Sequence, residues 1–268
     1  MSRGIPMLFD WFRNRRRKEL LAEAFPKEWL EVLERNVALY ALLSKAEQKK
    51  LRDDLRVLVA EKNWEGCGGL QMSDEIKVTI AALACLPLLN VGHDYFSRVH
   101  SILVYPSAYR KPRKRPDPDG FLPEEDDVVE GEAWVHGPIV VSWEGTLEDA
   151  RDPGRGRNVV LHEFAHEIDF LDGDVDGTPP LSSREQYRTW REVMSAEYER
   201  HRRDSEAGRA TLLDEYGAQD PVEFFAVATE CFFARPVALR KRHPRLYEVL
   251  RDSYRQDTAA RVEKAKGL

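Results

Sequence analysis

A chain of 268 residues is long enough to bury a sizeable core, as one large domain or two small ones. Hydrophobic residues at 42% and charged residues at 33% mark a folded soluble protein, and a net charge of −6 gives no general reason to expect direct nucleic-acid binding. Cys67, Cys85 and Cys231 include no C-x-x-C pair, which argues against a disulfide framework or a cysteine zinc cluster and fits a reducing, cytoplasmic setting. The most apolar run, Val78 to Val91, is too short for a bilayer and is interrupted by Pro87, so no membrane span is expected. The basic residues Arg13 to Lys18 are not followed by an apolar stretch with a small-residue cleavage site, so no secretory signal is read.

Residues 1–25 read as a basic N-terminal tail. Met7-Leu8-Phe9-Asp10-Trp11-Phe12 precedes Arg13, Arg15, Arg16, Arg17 and Lys18, which suits a solvated terminus or a contact with a membrane surface or partner. From Lys27 to Glu61 the apolar residues Leu30, Leu33, Val37 and Tyr40, then Leu51, Leu55, Leu58 and Val59, recur at helical spacing. Ser44 followed by Glu47 is a capping box that divides the two helices. Asn63-Trp64-Glu65-Gly66-Cys67-Gly68-Gly69-Leu70 reads as a glycine-rich turn, and without a Walker lysine it is not a phosphate loop. Ser73-Asp74-Glu75 opens a long helix through Ile76, Ile80, Leu83, Ala84 and Cys85.

Ser101 to Pro106 reads as a strand. Residues 110–132, basic over Arg110–Arg115 and then acidic and proline-bearing, read as a long mobile loop. Pro138 to Trp143 is a second strand, either an edge for an extended peptide to pair with or a plain core strand. Asp172-Gly173-Asp174-Val175-Asp176-Gly177 begins like an EF-hand loop, but its twelfth position is Ser183, so a polar loop is expected. Arg184 to Arg203 has the pattern of a charged amphipathic helix.

Between the second strand and that polar loop lies Val159-Val160-Leu161-His162-Glu163-Phe164-Ala165-His166-Glu167-Ile168-Asp169, which contains His-Glu-x-x-His. Histidines four apart on a helix share one face and reach a single metal ion. Glu163 follows the first of them, placed to take a proton from a water rather than to fill a coordination position. Zinc favours nitrogen ligands, and its catalytic sites use three protein groups and a water. The surrounding Val159, Val160, Leu161, Phe164, Ala165 and Ile168 predict a buried helix, where an unpaired polar cluster would be costly. Amide hydrolysis with a His162–His166 metal and Glu163 as general base is the reaction this pattern suggests.

Two histidines leave the site one ligand short. A metzincin would place the third at Asp172, but that arrangement needs a glycine three residues after His166, where this chain has Asp169. His93, His100, His136, His201 and His243 are scattered without a partner at ligand spacing. Downstream, Asp220 and Pro221 read as N-cap and first residue of a helix that Phe224, Phe225, Val227, Ala228, Cys231 and Phe232 make largely buried. Glu223 and Glu230 lie seven apart on one face of it. Glu223 is then either a ligand or the capping-box partner of Asp220, and Glu230 either a second contact of the site or an arginine partner.

The run Trp64 to Leu70, the following Ser73-Asp74-Glu75-Ile76-Lys77-Val78-Thr79-Ile80-Ala81-Ala82, the Gly137-Pro138-Ile139-Val140 strand, the His162–His166 motif and the Tyr216–Glu230 segment resemble the Mlc titration factor A family of bacterial zinc peptidases. The resemblance covers roughly residues 25–255. Tyr216, with Glu223-Phe224-Phe225-Ala226 after six residues, also resembles the catalytic domain of anthrax lethal factor. The resemblance implies that His162, His166 and Glu223 hold one Zn2+, that Glu163 is the base, and that Tyr216 donates to the oxyanion. Glu230 or Asp169 would orient a ligand imidazole. Some relatives carry a histidine in the loop before the strand; Gly120 to Trp134 has none, Pro123 stands near the expected place, and His136 is the nearest substitute.

The fold class expected is α+β and helix-rich, a zincin-like (gluzincin) fold with a small sheet beside the His-Glu-x-x-His helix. Residues 26–255 form the peptidase domain, with 26–100 as a helical layer, 101–255 as the catalytic part and 256–268 as a C-terminal tail. The expected activity is a cytoplasmic zinc metallopeptidase, an aminopeptidase on short peptides. The resemblance also implies a transcriptional repressor of the Mlc type as partner. The alternative is a regulatory protein-binding module whose metal site is structural or latent.

Overall fold

The computed structural model describes residues 5–92, 94–111, 127–129, 131–133 and 137–267; side chains are described except over 5–10, 109–111, 127–129 and 131–133. The chain opens with α1 (Ile5–Ala22), α2 (Lys27–Asn36) and α3 (Lys45–Glu61), followed by strand β1 (Asn63–Gly66) and α4 (Asp74–Cys85). Ser44 and Glu47 close the capping box at the start of α3, each satisfying a backbone N–H that the first turn leaves without a partner. Five strands follow: β2 (Ser101–Tyr105), β3 (Tyr109–Lys111), β4 (Asp127–Val129), β5 (Gly131–Ala133) and β6 (Ile139–Ser142). The remainder is helical: α5 (Trp143–Arg151), α6 (Val159–Asp169), α7 (Arg184–Glu206), α8 (Pro221–Ala234), α9 (Pro236–Arg242), α10 (Pro244–Tyr254) and α11 (Thr258–Lys266). The fold is α+β and helix-rich.

The main sheet has the order β1-β2-β6-β5. The first three strands run parallel, with Ile102 opposite Ile139 and Val104 opposite Val141, and β5 runs antiparallel to β6. All four residues of β6 are buried. With neighbours on both sides it is a core strand, so the edge-strand reading of Pro138–Trp143 does not hold; β5 occupies that edge and packs beside α6. Two further differences have local causes. Asn63–Gly66 is a strand rather than part of a turn, although asparagine, glutamate and glycine are poor strand formers, because parallel pairing with β2 supplies the hydrogen bonds. Trp143 starts a helix that Gly145 obscures in the sequence, so α5 stands between β6 and the motif helix.

The core lies between the sheet, α4, α6 and α8. Phe164 meets Phe96 edge-on at 4.8 Å between ring centroids, and Phe225 meets Trp190 at 5.6 Å. Both segments expected as tails carry helices joined to this body. Arg17 of α1 makes a two-pronged contact with Glu61 at 2.6 and 2.7 Å. In α11, Ala259 is fully buried and Arg261 pairs with Glu47 of α3. The stretch 110–132 lies outside the described residues apart from the backbone of residues 110–111, 127–129 and 131–132.

The loop between α6 and α7 is held to α8 by a close approach at Gly177. Its φ is +78°, and a Cβ there would lie 2.4 Å from the Pro221 carbonyl oxygen. Gly173 has φ +101° but nothing within 4 Å of a Cβ. Gly173→Ala should therefore cost only left-handed strain, about 1–2 kcal/mol. Gly177→Ala should cost about 1–3 kcal/mol more, because the helix or the loop must shift. Melting temperatures of the two variants check this; equal losses would contradict it.

Candidate metal centre

Helix α6 starts in an apolar wall, and its free N–H groups are met by side chains from three places. Asn158, the N-cap, accepts from Leu161 N at 2.9 Å. Asp149 of α5 accepts from Val159 N at 3.1 Å, and Glu230 of α8 accepts from Asn158 N at 2.5 Å. These contacts fix the start of the helix before its histidines are reached.

His162 and His166 stand one turn apart with ring centroids at 4.9 Å. Asp220 caps α8 by accepting from Val222 N at 2.8 Å and Glu223 N at 2.9 Å. The Glu223 carboxylate turns to the histidines: its Oε2 is 3.0 Å from His162 Nε2 and 3.6 Å from His166 Nε2. One ligand atom from each of the three residues lies within 4.8 Å of the others. Zinc bonds of about 2.0–2.1 Å would set ligand atoms roughly 3.3 Å apart in a tetrahedron, so this donor set fits a single such ion.

Glu230 holds the far side of His162, with Oε1 2.7 Å from Nδ1. An imidazole that donates Nδ1–H to a carboxylate presents Nε2 for coordination. Burial opposes a charge on His162, but hydrogen bonds to Glu223 and Glu230, with the nearby Glu163 charge, hold its pKa well above the ordinary value. Burial also opposes ionisation of Glu223, yet the two imidazoles keep its pKa at about 2.

Glu163 is buried beside the first histidine. Tyr216 sits in a short 3₁₀ segment, Glu215–Ala218, that Gly217 presses against Phe224 and Val227 of α8. Its ring centroid is 5.9 Å from that of His162, and it is 48% exposed, open to an incoming molecule. The structure thus brings His162, Glu163, His166, Glu223 and Tyr216 to one place, with Glu230 behind His162.

Asp169 does not join them as an imidazole partner. Its carboxylate accepts from Gly177 N at 3.0 Å and Thr178 N at 2.7 Å, and burial raises its pKa to about 6. Among the described residues His166 Nδ1 is buried and has no hydrogen-bond partner. Asp172 is exposed and accepts from Asp174 N in its own loop. His201 and His243 are engaged elsewhere, by the Asp214 carbonyl and by Glu197, and His100 is exposed. His93, His136, Pro123 and the side chains of Gly120–Trp134 lie outside the described residues. Asp149 and Asn158 escape a reading of the sequence; a polar residue ahead of an apolar run is the one signal for Asn158.

The profile of the family described as glucose-regulated metallo-peptidase M90 matches residues 11–255. An uncharacterised protein of Synechocystis sp. is 36% identical over 253 residues, 94% of this chain and 90% of the relative. Proteins named Mlc titration factor A from Yersinia enterocolitica and Yersinia pestis are 31% and 30% identical, each over 95% of this chain and 92% of the relative.

Glu230 and Asp149 both hold the start of α6, but only Glu230 also holds an imidazole. Glu230→Gln should weaken zinc binding by about 10–100-fold, and Asp149→Asn by a few-fold at most. Competition with a chromophoric chelator measures both, and equal losses would contradict the distinction. Because metal binding must displace the His162 proton, the wild-type affinity should fall as the pH is lowered.

Proposed function

The chain belongs to the glucose-regulated metallo-peptidase M90 family, and we propose that it is a zinc peptidase whose metal ligands are His162, His166 and Glu223. What carries this reading is the convergence of those three donors beside a buried carboxylate, Glu163. When bound, zinc supplies Lewis acidity and lowers the pKa of a coordinated water towards ~7. Glu163 accepts the proton from the attacking water and returns it to the leaving amine. The Tyr216 phenol donates to the oxyanion as the carbonyl carbon becomes tetrahedral, a charge that a positioned donor stabilises more in the transition state than in the substrate. Glu230 keeps the His162 ring from turning away.

We infer from the family resemblance that the substrates are short peptides cut from the amino end. A cavity of about 970 Å³ lies between α7 and the 172–178 loop, with Pro221 and Phe224, which flank Glu223, in its wall. It offers room for peptide beside the centre, although none of the three donors lines it. We infer a cytoplasmic setting from the sparse cysteines of the sequence, which stand free among the described residues; no described helix is long and apolar enough to cross a membrane.

The name Mlc titration factor A, carried by relatives at 30–31% identity, favours a second activity: binding a transcriptional repressor of that type. Glu163 separates the two readings, since a site serving only structure or partner binding needs no base.

Glu163→Gln should retain one zinc per chain and lower kcat on aminoacyl-anilides by about 10²–10⁴-fold, with any repressor binding unchanged. Tyr216→Phe should lower kcat by about 10²-fold with little change in KM. Full activity in Glu163→Gln would sink the proposed chemistry.

A further inference from the structure

Helix α1 takes no part in the site, and its two sides differ sharply. Arg17, Leu20 and Leu21, spaced three and four apart, are partly buried and face the body. Arg17 grips Glu61 and lies 4.4 Å from the centroid of the Tyr95 ring, while Arg56 of α3 donates to the Leu20 and Glu23 carbonyls. The other side presents Trp11, Phe12, Arg15, Arg16, Lys18 and one acidic residue, Glu19, all exposed.

Trp11 and Phe12 are the most exposed large hydrophobic residues among those described, at 56% each, and they are neighbours. Their rings meet edge-on at 4.9 Å, and Arg15, paired with Glu19, lies 5.8 Å from the Trp11 centroid. Single exposed aromatics are ordinary, whereas here two adjoin with cations beside them. The charge points the same way: residues 11–22 hold five basic residues and one acidic one in a chain of net charge −6.

We propose that this face of α1 docks the protein on an anionic lipid bilayer. Trp11 and Phe12 enter the boundary between headgroups and acyl chains, and Arg15, Arg16 and Lys18 lay their stems along it with their charges among the lipid phosphates. The strength of such binding scales with the apolar area buried plus the electrostatic attraction to anionic lipid. A nucleic acid fits less well. It is bound in a basic groove that tracks its backbone, whereas this surface is one convex helix on an otherwise acidic protein. A bilayer needs no groove, because a flat anionic surface meets a single convex helix. The Arg17–Glu61 contact holds the face in a fixed direction, so that docking would orient the whole chain.

The test is co-sedimentation of the full chain with phosphatidylcholine vesicles, with and without phosphatidylglycerol. Binding should require the anionic lipid and fade at high salt. Each outward cation should contribute about fivefold, so replacing Arg15, Arg16 and Lys18 by Gln should weaken binding on the order of 100-fold. Trp11→Ser with Phe12→Ser should weaken it about tenfold or more. Neither variant touches the inward side of α1, so unchanged melting temperatures confirm that the losses are local. No binding to anionic vesicles, binding that survives both variants, or displacement from vesicles by single-stranded RNA at equal salt would each overturn the proposal.

Discussion

One carboxylate ties the two halves of the candidate metal centre together. Glu230 of α8 takes the Asn158 N–H at the start of α6 with one oxygen and the His162 ring with the other. Two turns earlier on the same face, Glu223 meets the opposite edge of that ring. His162 is therefore held between two acidic residues of one helix, and the register of α8 against α6 decides whether the donors converge. That register is set outside the site. Asp220 fixes where α8 begins, and Gly177 lets the following loop lie against Pro221.

The apolar surroundings make this arrangement demanding. Val160, Leu161, Phe164, Ala165, Phe225 and Ala228 are almost fully buried around it. Buried charges are tolerated when paired, and removing one partner typically costs about 3–5 kcal/mol. His162 lies between Glu223 and Glu230, and its hydrogen bonds to both hold its pKa well above the ordinary value against the opposing effect of burial. Glu230 behind His162 thus fixes the ring that faces Glu223, a preorganised arrangement.

Much of this was legible from residue types and spacing. The motif helix, the Ser44 capping box and the Asp220–Pro221 helix start are local patterns, and all three stand as read. Whether the Glu223 carboxylate turns back to its cap or towards the histidines was not decidable from its position; it meets His162 because α6 packs alongside. The choice between Glu230 and Asp169 behind the imidazoles likewise depends on where the 172–178 loop goes, since that loop claims Asp169 through Gly177 and Thr178. Strand β1 was hidden because its pairing partner lies about forty residues away and its own residues favour turns. The docking of α1 and α11 was hidden for a related reason: the charged residues that hold them, Arg17 and Arg261, look like solvent-exposed ones until Glu61 and Glu47 are brought alongside.

The most direct test of the central assignment is zinc K-edge absorption spectroscopy on the zinc-loaded protein, with Glu223→Ala for comparison. The account predicts one zinc per chain, two imidazoles and an oxygen shell at about 2.0–2.2 Å, with a carboxylate oxygen lost in the variant. A spectrum with sulfur neighbours, with one imidazole, or unchanged by Glu223→Ala would contradict it.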